Sequence, residues 1–331
     1  MNEVIRQLAA RRSVRAFEDR DIPGEVRAAI LEAAAQAPTA GNQQLYTILD
    51  VTDPQLKARL AETCDHQPFI AQAPMVLIFL ADVCKWLDAY REAGCEPRAP
   101  GAGDVMLAAS DAAIAAQNAV TAAWSLGVGS CYIGDVMERC EEHREMLNLP
   151  PHVFPAAMLV LGYPTEQQAR RPKPERFNMA DIVCENVYRR KDGPALREMF
   201  AGRCDARGYD AWMDAFCRRK YNSDFSREMT RSVEAYLRDY GLVRAEDGGE
   251  EDPMLDDAIS LAVESGKIST SLIQRRLSLG YGRAAKLVDR MEQMGIVSPP
   301  EGQKPRAVLI SEAQWMERKL RRDPQSEEAK E

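Results

Sequence analysis

The sequence predicts an α+β domain followed by a small helical domain that ends in a strand. Its 331 residues exceed what one hydrophobic core usually serves, which favours two domains or one domain with an appendage. Helical patterns alternate with short apolar, β-rich segments through about the first 190 residues. An acidic, glycine-bearing stretch at residues 245–252 has the composition of a flexible linker and marks a domain boundary.

Hydrophobic periodicity and turn residues place the elements of the first domain. Asp21 and Pro23 mark the start of a helix. The Ala-rich segment 104–126 carries almost no charge, so we expect this helix to be buried nearly all round. Helices are predicted at residues 2–12, 22–36, 53–64 and 104–126, and strands at 45–51, 75–81 and 156–162, with a glycine-punctuated turn into a short strand at 127–134.

The remainder of the chain is predicted to be mainly helical. Residues 194–240 are heavily charged, with a break and a helix N-cap at 221–226. Helical patterns at 254–265, 269–277 and 282–294 precede a strand at 307–310, which is a winged-helix outline. The predicted division is a first domain (1–190), a helical extension (191–244), an acidic linker (245–252), a winged-helix domain (253–312) and a polar tail (313–331).

Composition excludes several classes of protein. With 45% hydrophobic and 28% charged residues, the chain has the composition of a soluble globular protein. Its longest apolar stretch, residues 75–81, is far shorter than the roughly 20 residues that cross a bilayer, and no secretory signal is visible, so we expect a cytoplasmic location. The net charge of -8 argues against a surface that binds nucleic acid everywhere, although a local patch remains open.

The cysteines do not form a recognisable framework. The eight cysteines are scattered without a C-x-x-C pair, and we expect reduced thiols rather than disulfides. Cys131, Cys140 and His143 are spaced unlike zinc ligands, so no metal site is predicted.

A basic segment lies at the end of the first predicted helix. Three arginines, Arg11, Arg12 and Arg15, surround Ser13 and offer planar donors suited to a phosphate and to an electron-rich carbonyl. The alternative is a solvated basic helix end stabilised by the helix dipole. Two further segments favour a ligand site, namely residues 38–43 with hydroxyl, amide and small side chains, and residues 127–134 with exposed amides.

Five short segments stand in an order typical of one protein family. They are Arg-Arg-Ser-Val-Arg-Ala-Phe at 11–17, Ala-Pro-Thr-Ala-Gly-Asn-Gln-Gln at 37–44, Ala-Pro at 73–74, Leu-Gly-Val-Gly-Ser-Cys-Tyr-Ile-Gly-Asp at 126–135 and Leu-Gly-Tyr-Pro at 161–164. Together they resemble the nitroreductase superfamily of FMN-dependent oxidoreductases over about residues 1–190. The resemblance implies an α+β fold with a central sheet flanked by helices, in an intertwined homodimer that holds two FMN molecules at the subunit interface.

The same resemblance implies a role for each matching residue. It places Arg11, Arg12 and Ser13 on the phosphate and ribityl side of FMN. Arg15 would lie near N1 and the C2 carbonyl of the flavin, where a guanidinium favours the reduced anion. A backbone N–H of residues 133–135 would point at N5, the atom that takes the hydride. The other implied contacts are Pro38, Thr39, Ala40 and Asn42 from the other subunit, and Gln67, Tyr132, Ile133, Gly134, Asp135, Lys173 and Arg176.

Some of these residues have a plain structural alternative. Lys173 and Arg176 also fit a solvated proline-rich loop. Trp124 and Tyr132 fit either a flavin contact or core packing. Residues 220–229 resemble a tail that embraces the partner subunit or covers the site in some members of the family, and equally fit an amphipathic helix on its own core.

The implied reaction is a ping-pong transfer of electrons. NAD(P)H binds over FMN, passes a hydride to N5 and leaves, after which an electron-poor acceptor such as a nitroaromatic or a quinone takes the electrons. No side chain is assigned a catalytic role. His66, His143 and His152 are expected to be surface or capping residues.

The C-terminal domain carries a second resemblance. Residues 256–258, 269–277, 280–289, 294–297 and 304–306 are similar to the gamma domain of FtsK/SpoIIIE-type DNA translocases. Such modules are winged helices that read short DNA sequences with the third helix in the major groove. The implied contacts with double-stranded DNA are Gln274, Arg275, Arg276, Gly282, Arg283, Lys286, Asp289, Lys304 and Arg306.

This domain departs from its family at the base-reading positions. Gly282, Lys286 and Asp289 stand where the family places Asn, Arg and an acidic residue, which removes an amide and a bidentate guanidinium. The sequence has no G-x-x-x-x-G-K-[ST] phosphate loop, which excludes an ATP-driven motor. There are two alternatives to DNA binding. The domain could bind another protein, or it could be a fused domain without a binding function.

Two functions follow from the pair of resemblances. The first is an FMN-dependent NAD(P)H oxidoreductase whose winged helix localises it on DNA or on a partner. The second is a flavin-bearing, DNA-binding regulator that senses redox state. The acidic linker favours independent modules, because a flexible tether transmits conformational change poorly.

Overall fold

The structure, a computed structural model, describes residues 2–242, 252, 254–299 and 304–316. The chain forms two units, residues 1–244 and 245–331, which are described separately. Residues 245–251 of the predicted linker and residues 317–331 of the predicted tail lie outside the described residues. In the described ranges no helix has both the length and the apolar character needed to cross a membrane.

Four antiparallel strands form the central sheet of the first unit, in the order β1-β2-β4-β3. Tyr46 pairs with Ala81 across β1 and β2, and the register of β2 against β4 shifts after Phe79. The strands are β1 (Tyr46–Asp50), β2 (Met75–Asp82), β3 (Gly129–Ile133) and β4 (Val153–Gly162). This central sheet with helices on both faces confirms the predicted α+β fold.

The helices of the first unit pack on this sheet or extend from it. The helices at Cys84–Glu92 and Cys140–Met146 were not predicted, because both are short and largely polar. The helices are α1 (Glu3–Ala10), α2 (Gly24–Ala35), α3 (Pro54–Thr63), α4 (Phe69–Gln72), α5 (Cys84–Glu92), α6 (Ala102–Ser125), α7 (Cys140–Met146), α8 (Glu166–Arg170), α9 (Met179–Ile182), α10 (Gly193–Phe200), α11 (Gly208–Lys220) and α12 (Asp224–Leu237).

The strand β2 is buried along its whole length because helices cover both faces of the sheet. Successive side chains of a strand point to opposite faces. Met75, Leu77 and Phe79 therefore pack in one core with residues of α2 and α6. Val76 and Ile78 pack in a second core with residues of α3, α7 and α12.

The helix α6 is less buried than its composition predicts. One side carries alanines without solvent exposure, which lets α6 approach β2 and α2 closely. On its other side Met106, Leu107 and Ile114 are 67%, 49% and 41% exposed. The expectation that this helix is buried nearly all round is therefore wrong for the single chain. A low content of charged residues indicates that a helix surface avoids water, but it does not specify what covers that surface.

Two glycines that face each other across β3 and β4 let residues 11–17, the basic segment, lie against the sheet. Gly129 pairs with Gly162 in the register of the two strands. A Cβ on Gly129 would lie 2.6 Å from Val14 Cγ2, and one on Gly162 would lie 2.7 Å from a ring carbon of Phe17. The Val14 amide donates to the Ser130 carbonyl at 2.9 Å. The basic segment thus runs beside β3 because no side chain stands in its path.

The helix α12 packs on α7 of its own chain. The amides of Arg139 and Cys140 at the start of α7 donate to Glu228 Oε1 at 3.2 Å and to Ser232 Oγ at 3.0 Å. These bonds satisfy helix-end donors that α7 does not cap with its own side chains. Tyr236 is buried edge-on against Phe154. The second half of α12 therefore packs on its own core, whereas Tyr221 and Phe225 of the tail segment 220–229 are exposed, so both alternatives for that segment stay predictions.

The second unit is a three-helix domain with a small β-wing, as predicted. Its core joins Ile259, Ile273, Leu287 and Trp315. The strand predicted at 307–310 pairs regularly only at Arg306–Ala307, with a single further bridge at Val308. Its elements are α13 (Leu255–Ser265), β5 (Lys267–Ile268), α14 (Thr270–Leu277), α15 (Tyr281–Gln293) and β6 (Arg306–Ala307), with β5 antiparallel to β6.

Candidate functional site

Three side chains of the basic segment, Arg11, Ser13 and Arg15, affect the Cys131 thiol of β3. The Cys131 thiol is buried and its pKa is raised by desolvation, an effect opposed by Arg15, Ser13 and Arg11. In the described part of the chain no acidic side chain pairs with Arg11 or Arg15. Ser13 is half-buried and Arg15 is exposed. Two guanidinium groups and a hydroxyl therefore form a donor set that fits a phosphate-bearing flavin.

Arg12 has a different position from its neighbours. Its Nη1 donates to the carbonyl of Ala169 at 3.1 Å and to that of Arg171, and its guanidinium lies 6.0 Å from the centroid of the Trp124 ring. These contacts hold the end of α8 against the basic segment. Arg12 therefore has a structural role, because the backbone carbonyls occupy guanidinium N–H donors that a phosphate would need.

Lys173 lies at the end of α1, and the role of Lys173 and Arg176 in binding a phosphate stays a prediction. Lys173 Nζ donates to the carbonyls of Leu8 and Ala9 at the end of α1, at 3.2 and 2.8 Å. Its pKa is lowered, first by desolvation and then by the charges of Arg176, Arg11 and Arg12. Four cationic side chains are thus gathered near the end of α1, which favours an anion there.

An open groove of about 640 Å³ runs along α8 next to this cluster. The Arg15 amide donates to Gln168 Oε1 at 3.2 Å, so the groove borders the basic segment. The groove is lined by Glu166, Gln167, Gln168, Arg170 and Arg171.

Residues 38–44, the cofactor loop, have an unusual backbone. Gly41, Asn42 and Gln44 all have left-handed φ angles of 57°, 57° and 49°. Thr39 Oγ1 donates to Asp111 and accepts from the Gln44 amide at 2.8 Å. The hydroxyl hydrogen that the sequence suggested for a ligand is therefore already used inside the protein, whereas Pro38 and Asn42 are exposed and Ala40 is half-buried.

The residues of the turn after β3 differ in their exposure to solvent. Tyr132 is 38% exposed, and its OH lies 3.4 Å from Gln117 Oε1. Desolvation raises the pKa of Tyr132 to about 12, so it remains a neutral phenol. Ile133 is buried in the core and offers only backbone groups, while Gly134 is exposed and Asp135 is half-buried. A flavin at this turn would therefore meet backbone and Tyr132.

His143 was expected at the surface or at a cap, and this expectation is wrong. Its ring is fully buried, with Nδ1 2.9 Å from the Val136 carbonyl and Nε2 2.9 Å from Thr63 Oγ1. A carbonyl can only accept, so Nδ1 carries the hydrogen and Nε2 accepts from Thr63. Desolvation lowers the pKa of His143, which keeps it neutral. The residue ties the turn Gly134–Met137 to α3.

The other two histidines behave closer to expectation. His66 is exposed, in a left-handed conformation. His152 Nε2 lies 2.8 Å from the Asp239 carbonyl, which caps the end of the helical extension. Gln67 Nε2 donates to the Cys64 carbonyl at 2.8 Å, next to the turn after α3, and its role as a ribityl contact stays a prediction.

Glu138, directly after the turn, is a buried acid that sequence reasoning missed. It is 6% exposed, and within the described residues its Oε1 has no hydrogen-bond partner. Desolvation raises its pKa to about 7, and the nearby acids Asp135, Glu228 and Asp65 add to this effect while Arg139 opposes it. No local pattern distinguishes it from the exposed glutamates that follow.

In the second unit, three of the predicted DNA contacts, Arg283, Asp289 and Arg306, are held in ion pairs. Arg283 donates through Nε and Nη2 to both oxygens of Asp252, at 2.7 and 2.6 Å. Arg306 of the wing pairs with Asp289, at 3.1 Å, and with Glu292 on α15. Asp289 therefore binds the wing.

The remaining predicted DNA contacts leave a cationic surface. Lys286 is exposed on α15, and Gly282 beside it is exposed as well. Gln274 on α14 is half-buried. The other exposed cations of this set are Arg275, Arg276 and Lys304.

Comparison with known proteins decides the family of the first unit. Residues 8–163 match the model of the nitroreductase family. An FMN reductase [NAD(P)H] of Bacillus subtilis is 32% identical over 239 residues, which cover 71% of this chain and 91% of that protein. The chain belongs to the nitroreductase family. The predicted fusion is also confirmed, because residues 249–311 match the Ftsk gamma domain.

Other relatives agree with this family assignment. The oxygen-insensitive NADPH nitroreductase of Salmonella typhimurium is 32% identical over 221 residues, which cover 65% of this chain and 89% of that protein. The structure of B. megaterium NfrA2 superposes with a TM-score of 0.62 and 30% identity, covering 73% of this chain and 98% of that one. The nitroreductase fold therefore accounts for the first unit together with its helical extension.

We predict that the stability contribution of Glu138 depends on pH. A folded-state pKa near 7 lies above the ordinary 4.5, so the contribution is fully present below about pH 4.5 and is lost as the pH rises to about 7. Glu138→Gln should therefore raise the free energy of unfolding above pH 7, on the order of 1 to 2 kcal/mol after solvent screening, with a smaller gain near pH 5.

Urea denaturation at the two pH values measures this effect. The matched control is Glu145→Gln, an exposed residue of the helix α7 that follows Glu138, which should change stability little at either pH. An equal effect of Glu138→Gln at both pH values would contradict the assignment.

Proposed function

We propose that the first unit holds FMN and uses NAD(P)H to reduce electron-poor acceptors, with nitroaromatics and quinones as the substrate class. The chain is an FMN-dependent NAD(P)H oxidoreductase, as the sequence predicted, given its 32% identity to an FMN reductase. The observation that carries the site is that Arg11, Ser13 and Arg15 belong to a segment bonded to Ser130 of β3 and have no acidic partner among the described residues. Such unpaired donors favour an anionic ligand.

The side chains act by binding and orientation. Arg11 and Ser13 would hold the phosphate, with Lys173 and Arg176 adding positive charge, and Arg15 would donate to the electron-rich edge of the ring system. Bound FMN supplies hydride acceptance from NAD(P)H and hydride donation to the acceptor. His143 holds the turn Gly134–Met137 rigid, so that its backbone amides keep their direction. We infer a ping-pong order, which initial-rate patterns test.

We further propose that two chains form the intertwined homodimer that the sequence suggested. Exposed apolar side chains mark surfaces that are covered in an assembly. They lie on α1 (Val4, Ile5, Leu8), on α6 (Met106, Leu107, Ile114) and around α9 (Met179, Ile182, Val183, Val187, Tyr188). No hydrogen bond among the described residues joins the cofactor loop to the basic segment within one chain, which fits a site built from two chains. Light scattering should give twice 36.9 kDa, and a stable single-chain mass would contradict it.

The cofactor assignment is tested with Arg15→Ala. Removing a charged donor from a phosphate or ring contact costs about 1.5 to 3 kcal/mol, so FMN should bind roughly 10-fold to 100-fold more weakly. The measurement is a titration of flavin fluorescence in full-length protein, together with bleaching of the flavin absorbance by NADH or NADPH.

The control for this variant is Arg59→Ala, an exposed arginine on α3, which should leave FMN binding unchanged. The proposal fails if the unaltered protein takes up no FMN. It also fails for Arg15 if both variants bind FMN alike.

For the second unit we propose weak binding to double-stranded DNA through α14, α15 and the wing. Arg275, Arg276, Lys286 and Lys304 are exposed, which supports contact with phosphates. Arg283 and Arg306 would have to leave their acidic partners to join them. This competition predicts low affinity and a strong dependence on salt. DNA binding would localise the oxidoreductase.

Two expectations from the sequence stay predictions. They are the cytoplasmic location and the division of the chain into five parts.

We predict that Asp252→Asn strengthens DNA binding. The change releases Arg283 from its bidentate pair, and one additional phosphate contact should raise the affinity roughly 3-fold to 10-fold at about 50 mM salt, with a smaller gain at about 200 mM. Fluorescence anisotropy with a random-sequence duplex measures this change.

Glu264→Gln is the matched control, because it removes the same charge from an exposed position of α13. An equal gain from both variants would indicate only net charge, and no binding by any variant would favour a protein-contact role. Negligible NAD(P)H turnover, combined with DNA affinity that changes with flavin oxidation state, would indicate the regulator instead.

A further inference from the structure

Asp111 is a buried carboxylate in the middle of α6, and its hydrogen bonds go to a single segment of the chain. It is 3% exposed. Oδ1 accepts from the Ala40 amide at 3.0 Å, and Oδ2 accepts from the Leu45 amide at 3.2 Å and from Thr39 Oγ1. A buried charge is stabilised only when it is well supplied with donors. All three donors belong to the cofactor loop or to the residue that follows it.

The cofactor loop cannot keep its shape by local preference. Left-handed φ angles at Asn42 and Gln44 are unfavourable for residues with a Cβ and persist only when surrounding contacts impose them. Two further side-chain hydrogen bonds hold the loop, because Trp86 Nε1 donates to the Gln43 carbonyl at 2.8 Å and Gln44 Nε2 donates to the Ala35 carbonyl at 3.3 Å. The loop is therefore attached to α6 through Asp111, to α5 through Trp86 and to the end of α2 through Gln44.

Asp111 also determines what the loop can offer to a ligand. The Thr39 hydroxyl has one hydrogen, which it donates to Asp111, and its oxygen accepts from the Gln44 amide. Thr39 is thus an internal connection between the two ends of the loop. The groups left for a ligand are the exposed side chain of Asn42 and the backbone around Gly41.

We propose that Asp111 is the positioning residue that shapes the cofactor loop for FMN. This inference rests on the proposed function, because it assumes that the loop contacts the cofactor. Asp111 itself does not touch FMN in this assignment. In the proposed homodimer it acts on the cofactor held by the basic segment of the other chain, so a change in the interior of one subunit alters binding in a site completed by both.

The test compares Asp111→Asn with a second buried aspartate in the same unit. In Asp111→Asn an amide donor faces the donors of Thr39 and Leu45, which disrupts the loop without changing size. The control is Asp82→Asn, because Asp82 is 8% exposed and its side chain accepts from Thr47 Oγ1 at 2.6 Å and from the Lys85 amide at 3.2 Å, neither of which belongs to the loop. Both variants lose a buried carboxylate, so both should lower the melting temperature.

Three readouts separate positioning from general stability. They are the melting temperature of the full-length protein, the Kd for FMN by fluorescence titration, and the visible circular dichroism of bound FMN, which reports the asymmetry of its surroundings. We expect Asp111→Asn to raise the Kd roughly 10-fold or more and to change the dichroism, whereas Asp82→Asn should keep the Kd within about twofold of the unaltered protein.

Thr39→Val provides a second route if Asp111→Asn does not fold. It removes the hydroxyl with little change in shape and should also weaken FMN binding. Where both fold, the double variant should bind no more weakly than Asp111→Asn alone, because the two side chains act through one contact.

An unchanged Kd and dichroism in Asp111→Asn, or in Thr39→Val when it alone folds, would overturn the positioning role. Additive losses in the double variant would do so too. If the unaltered protein binds no FMN, the proposed function fails, and this outcome is distinct because it appears before any variant is made.

Discussion

The close approach of residues 11–17 to the central sheet is the constraint on which the site depends. Gly129 and Gly162 face each other in the β3–β4 ladder, and a side chain at either would overlap Val14 or Phe17. Because this path is open, the backbone of the basic segment bonds to β3, and Arg11, Ser13 and Arg15 affect the Cys131 thiol. The arginines then need no acidic partner to hold their place, and their charge stays available for an anion.

Buried polar groups, rather than exposed ones, give the surrounding loops their shape. Asp111 is paired to the cofactor loop, and His143 is paired to the turn after β3. Each group is satisfied by hydrogen bonds, which makes its geometry specific in a low-dielectric interior. Glu138 is the exception, since one of its oxygens has no partner in the described part of the chain and its pKa is raised to about 7. The region thus combines hydrogen-bonded buried groups with one desolvated carboxyl group.

In the second unit, ion pairs between its own residues occupy several of the charged side chains. Its helices and wing are joined by ion pairs between Arg306 and the acids of α15, and Arg283 is joined to Asp252. The same arginines that the family resemblance assigned to DNA therefore help to hold the isolated domain together. A ligand with many phosphates competes with these acids, so the affinity of such a surface is set by the difference between two electrostatic interactions.

Local sequence determined the elements and the chemical character of the sites. Periodicity placed β2 and α6 within two residues of their observed bounds, and the basic segment was identified from its arginines alone. Tertiary structure decided which side chains remain free. Arg12 binds backbone carbonyls, and Thr39 gives its hydrogen to Asp111, a residue 72 positions away. A pattern of neighbours cannot specify such pairings, because they arise only when the sheet and its helices bring distant residues together.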